Sequence, residues 1–83
     1  HESEAAARAA ASAFQLAGNA LLAAKAQGHI AYILQLRGQL DEALTIWQTE
    51  CLPVFERLGL NRETAIANVR VMELQALVRE KRS

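Results

Sequence analysis

The chain has 83 residues, nine basic and nine acidic side chains, and a formal charge of zero. That length suits one small domain or a piece of something larger, and the neutral balance leaves no basic stripe to neutralise phosphates, which argues against nucleic-acid binding. One proline, four glycines and an abundance of alanine, leucine, glutamine, glutamate and arginine favour an all-α fold, because strands would want more β-branched and aromatic residues.

Residues 2–17 read as a first helix, with Ser3 as a possible cap and Glu2 and Glu4 where the helix dipole favours negative charge. Ala5, Ala6, Ala9, Ala10 and Ala13 give it a smooth surface on which another helix can approach closely. Gly18 suits the position just past the helix end, and Asn19 can finish that turn or cap the next helix.

Residues 20–37 form the second expected helix. Leu21, Ala24, Ala31 and Leu34 mark one side, and Ile30, Ile33 and Leu36 broaden it, so this helix should touch neighbours on two sides. Gly28 lies inside it, at roughly 1 kcal/mol of helix propensity against alanine. A close backbone or ligand would explain that glycine; so would a tolerated defect.

Gly38-Gln39 is a turn, followed by Asp41 and Glu42 in the first turn of a helix over 40–58. Leu40, Ala43, Leu44, Trp47, Cys51, Val54, Phe55 and Leu58 follow helical spacing, the clearest amphipathic pattern in the chain. Pro53 cannot donate to the carbonyl of Thr49, so a bend is expected there; the alternative is a helix end near Cys51. Gly59-Leu60 closes this element. Asn61 is expected to cap a last helix over 61–80, carried by Ile66, Val69, Val71, Leu74, Leu77 and Val78. Arg79, Lys81 and Arg82 suit a helix C-terminus and a solvated tail.

No apolar run approaches the ~20 residues of a membrane span. The acidic, alanine-rich N-terminus lacks a signal-peptide pattern, and His1 points to trimming or a tag remnant. The single cysteine, Cys51, has no internal partner for a disulfide, which fits a reducing, cytoplasmic compartment.

An offset of 41 residues aligns the chain with itself: Phe14 falls on Phe55, Gly18 on Gly59, Ala24 on Ala65, Ile30 on Val71, Ile33 on Leu74 and Leu36 on Leu77. A period of that size built from helix pairs is a sign of an α-solenoid. The run Ala31-x-x-Leu34-x-x-x-Gly38-x-Leu40-Asp41-Glu42-Ala43-Leu44-x-x-Trp47 resembles the core of a tetratricopeptide repeat. In that family small residues on two helices face each other, with glycine in the turn and an aromatic residue one turn on; Ala31, Ala43, Gly38 and Trp47 fit those roles. Leu52-Pro53-Val54-Phe55-Glu56-Arg57-Leu58-Gly59 resembles the extended second helix of the longer, roughly 40-residue repeats common in bacterial proteins. The aromatic residue usual early in the first helix is absent, with Gln27 near its place, and Asn68 and Arg70 make the last helix atypical. The resemblance implies antiparallel helical hairpins stacked as a solenoid fragment of about four helices. Since about three repeats normally share a core, it also implies a longer parent chain or self-association through open ends.

The residues that carry chemistry favour packing over catalysis. Cys51 with His29 could be imagined as nucleophile and base, but Cys51 lies on the apolar stripe with Trp47 and Phe55, where a buried inert thiol is expected. Asp41 and Glu42 are adjacent on a helix and point in different directions. No metal-ligand spacing and no phosphate loop occurs, so no catalytic residue, metal or cofactor is expected.

For binding, the resemblance implies that the first helix of each repeat lines a concave face. It nominates Lys25, His29, Tyr32, Gln35 and Leu36, with Arg70 and Glu73, flanked by Ile66 and Leu77, as counterparts on the last helix. Tyr32 stands out for its broad apolar area and polar tip. Gly28 occupies one of the places where some family members grip a peptide carboxylate, which disfavours that ligand. The expected function is a non-catalytic protein-interaction scaffold with a protein or peptide partner. A self-association module and a regulatory segment of a larger multidomain protein are the alternatives.

Overall fold

The computed structural model describes residues 4–82, so Glu2, Ser3 and their expected cap lie outside the described residues. Every element among these is helical: α1 (Glu4–Leu16), α2 (Ala20–Leu36), α3 (Leu40–Ile46), a π-helical turn (Trp47–Cys51), α4 (Leu52–Arg57) and α5 (Asn61–Arg82). Helix α3, the π turn and α4 run without a break, so the described chain makes four helical rods. The fold is all-α. Each rod packs on its neighbours in the chain, α1 on α2, α2 on the α3–α4 rod, and that rod on α5. The thinnest dimension of 18 Å leaves room for no more than two helix layers of ~10 Å each.

Three turns set this arrangement, and they are chemically the same turn. Gly18, Gly38 and Gly59 have φ of 75°, 79° and 70°, a left-handed conformation that glycine adopts without a Cβ clash. At each, the glycine N–H donates to the carbonyl three residues back, on Gln15, Gln35 and Glu56. The next N–H donates five residues back, to Phe14, Leu34 and Phe55. These paired bonds satisfy carbonyls that a helix end leaves open. Asn19 performs both expected roles, since its own N–H closes the first turn while its Oδ1 accepts from Leu22 N–H at 3.1 Å. Asn61 differs from expectation. The Leu60 carbonyl accepts from Thr64 N–H, which makes Leu60 the flanking residue and puts Asn61 inside α5.

Pro53 is accommodated by a change of register one turn earlier. In an α register its ring would strike the carbonyl of Thr49 and leave it without a donor. The π turn contains Thr49, with Leu52 N–H donating to the Trp47 carbonyl five residues back. Pro53 then stands in the first turn of α4, where a missing N–H has no consequence. The rod therefore does not end at Cys51.

The core is built from small residues and a few large ones. Ala7 and Ala11 of α1, Ile30, Ala31 and Leu34 of α2, Ala43 of α3 and Leu74 of α5 form one cluster. Ala24, Cys51, Phe55 and Ala67 form a second. Ala31 of α2 and Ala43 of α3 are wholly buried in the same cluster, where their methyl side chains leave space for the two helices to pack closely. In α5 the buried stripe is Ala67, Val71, Leu74 and Val78, whereas Ile66, Val69 and Leu77 are exposed. That corrects the wider apolar side expected for this helix. Leu16, Leu36 and Leu58, each near a helix end, are exposed as well.

Two polar latches tie helix starts to helix ends. Glu4, at the start of α1, accepts from Arg37 Nη1 at 2.7 Å and from Arg8 Nε at 2.8 Å. Asp41, at the start of α3, accepts from Arg82 Nη2 at 3.3 Å. Each joins an acid in one helix's first turn to a base at the end of the next rod it packs on, complementing both dipoles. Lys81 Nζ also donates to the Gly38 carbonyl at 3.2 Å, so the basic end of α5 is tied to a turn rather than simply solvated.

Candidate functional site

The α3–α4 rod lies between α2 and α5, and its half-buried Trp47 lines the bottom of the gap beside the buried Phe55. A pocket of 240 Å³ opens there, floored by Trp47 and Phe55. Ala24, Lys25 and Gly28 form the α2 wall, and Glu63 and Ile66 the α5 wall. Gly28 explains how Trp47 sits there: a Cβ at this position would be 3.1 Å from Cη2 of the indole. The glycine has a neighbour that needs its missing side chain, and that neighbour is an aromatic ring.

The nominated residues divide between this pocket and other surfaces. Lys25 is in its wall. Tyr32 and Leu36 are on α2 with 55% and 70% of their surface exposed, so Tyr32 faces solvent more than a neighbouring helix. Gln35 is half-buried. His29 lines a separate hollow with Ala6, Ala7, Ala10 and Ala26 on the α1 side. On α5, Arg70 and Glu73 are exposed and bonded to each other at 3.1 Å. Ile66, 41 positions after Lys25, faces it across the pocket.

Trp47, Phe55 and Glu63 were not among the residues nominated for binding. Trp47 and Phe55 belong to the amphipathic stripe of the middle rod, which reads as core; both also serve as floor. The available signal was Gly28, a helix-interior glycine that implies a close approach.

Cys51 does not belong to this site. It is fully buried, and its thiol donates to the Ala24 carbonyl at 3.4 Å. Burial pushes its pKa up to about 12, with the carboxylate of Glu50 adding in the same direction. A thiol held protonated in this way is a poor nucleophile. Among the described residues no group of three or more His, Cys, Asp or Glu side chains could hold a metal ion. No helix among them is long and apolar enough to cross a membrane.

A wider hollow of 510 Å³ lies at the opposite end, between residues 38–42 and Val78, Lys81 and Arg82. Its cations are engaged with the Gly38 carbonyl and the Asp41 carboxylate, and it lacks an aromatic floor. The pocket over Trp47 is therefore the better candidate for recognition. The chain matches no family model, no curated protein and no solved structure.

Proposed function

We propose that this chain is a non-catalytic protein-binding segment made of tetratricopeptide-like helical hairpins, which receives a peptide or protein partner in the groove between α2 and α5. The observation that carries this reading is the open pocket floored by Trp47 and Phe55 and walled by α2 and α5, where Ile66 stands 41 positions after Lys25 on the facing wall. Aromatic floors with charged rims are the usual chemistry of protein recognition, where buried aromatics supply most of the energy. The matching turns at Gly18 and Gly59, 41 positions apart, support the repeat architecture. Tyr32, Leu36, Arg70 and Glu73 extend the surface, and His29 is left to the α1 side. Equal numbers of acidic and basic side chains favour a protein partner over nucleic acid. A lone protonated thiol suits a reducing, cytoplasmic setting.

The test is selection of peptides from a random library, followed by amide chemical-shift mapping on the labelled chain. Shifts concentrated at Lys25, Gly28, Ile66 and the Trp47 indole are expected. Selected peptides that shift only residues outside the groove would refute the assignment.

Self-association is the second reading. Ala65, Val69, Met72 and Ala76 recur at helical spacing on an exposed side of α5, and such a stripe can pair with another copy. A strict monomer by light scattering at high concentration would sink it.

A further inference from the structure

The pocket over Trp47 has a size and a charge pattern that specify an occupant. Its 240 Å³ is below the roughly 300–1,000 Å³ of small-molecule and cofactor sites. That leaves room for one bulky side chain rather than a whole cofactor. Trp47 is half-buried and Ile66 is half open to solvent, so covering them removes apolar surface from water. Lys25 and Glu63 stand on opposite walls, and neither forms an ion pair among the described residues. A ligand of a single charge sign would gain at one wall and be repelled at the other, whereas a ligand carrying both signs is matched at both.

Resting on the protein-binding reading above, we infer that the pocket takes one leucine- or aromatic-sized side chain of a peptide segment that carries an acidic residue on one side of this anchor and a basic residue on the other. The acid meets Lys25 and the base meets Glu63. The anchor supplies the affinity, and the two charges set which sequences bind.

Trp47 is the chain's only tryptophan, so its fluorescence reports directly on the pocket. Titrations use short alanine–serine peptides centred on Glu-Phe-Lys, Glu-Phe-Glu, Lys-Phe-Lys and Glu-Ala-Lys. Glu-Phe-Lys is expected to bind best, and Glu-Ala-Lys at least tenfold more weakly. The Lys25→Glu variant should come to prefer Lys-Phe-Lys, and Glu63→Lys should come to prefer Glu-Phe-Glu. Each preference should shift by roughly three- to tenfold. Far-UV circular dichroism establishes that the variants fold, and Lys25→Gln and Glu63→Gln replace a reversal that does not. Phenylalanine peptides that bind without regard to charge, in the parent chain and in both variants, overturn the inferred ligand while leaving the groove reading intact. Failure of every peptide to bind overturns the inferred ligand too, and the groove reading then stands or falls on library-selected partners.

Discussion

The α2 backbone at Gly28 and the indole of Trp47 occupy each other's space: a Cβ on Gly28 would approach Cη2 at 3.1 Å and Cζ2 at 3.5 Å. The relationship links a helix-interior glycine to the floor of the candidate site. Gly28→Ala gains roughly 1 kcal/mol of helix propensity but pushes the ring aside by a few tenths of an ångström. The half-buried Trp47 has room to give, so we expect a small net stability change with an altered Trp47 emission spectrum. Gly28→Val adds two further carbons against the ring and should destabilise by about 2 kcal/mol. Urea melts and emission spectra of both variants check this. A valine variant as stable as the parent would show that the contact is not tight.

The buried thiol predicts a pH dependence. The folded state holds Cys51 protonated up to about pH 12, against an ordinary value of 9.0. Between those values the unfolded chain loses a proton that the folded chain keeps. The stabilising contribution is thus complete below pH 9 and falls as pH rises towards 12, by up to roughly 1.4 kcal/mol per pH unit. Urea unfolding of the parent and Cys51→Ala from pH 8 to 10.5 isolates this group, since all others are common to both. The gap between the two curves should shrink or change sign as pH rises; parallel curves would contradict the assignment. In the native state the thiol should react with an aromatic disulfide reagent only through unfolding.

Ala31 and Ala43 have no exposed surface, and both belong to the first core cluster. Replacing either by tryptophan forces the α2–α3 crossing apart. Overpacking costs 1–3 kcal/mol or more, a large share of a small domain's margin. Ala31→Trp and Ala43→Trp should each lower the melting temperature steeply or abolish helicity. Retention of both would count against the close crossing.

The two acid–base latches should differ in strength. Glu4–Arg37 is at 2.7 Å with the Glu4 side chain 25% exposed, whereas Asp41–Arg82 is at 3.3 Å with both side chains 72% exposed. Exposed pairs contribute about 0–1 kcal/mol, and the second should sit at the bottom of that range. Double-mutant cycles are expected to give measurable coupling for Glu4–Arg37 and almost none for Asp41–Arg82. A reversed order would show that burial does not rank them.

Particular residues show what the sequence could reveal. Gly18, Gly38 and Gly59 mark helix ends wherever they occur, because a left-handed turn needs that residue type. Cys51 reads as buried because it sits in phase with Trp47 and Phe55. Other features depend on which of several neighbours a side chain meets. In α5 both Ile66/Val69 and Val71/Leu74 are apolar, and only packing on the α3–α4 rod selects the second pair. At Pro53 the missing donor was legible, but a shift to π register around Thr49 is settled by hydrogen bonding along the whole rod. His29 shares a helix with Lys25, yet four residues advance it about 40° around the axis, enough to place it beside α1. The candidate pocket was foreshadowed only by Gly28, whose neighbour could not be named without the fold.

Two substitutions on α5 decide whether a partner binds in the α2–α5 groove. Ile66 lines the pocket, while Met72 is 67% exposed and lines none of the pockets described above; six residues separate their directions by about 120° around the helix. Isothermal titration of a library-selected peptide partner against Ile66→Glu and Met72→Glu compares the two faces on one helix. At least a tenfold loss of affinity is expected for Ile66→Glu and little change for Met72→Glu. Full binding to Ile66→Glu with loss in Met72→Glu would contradict binding in the groove.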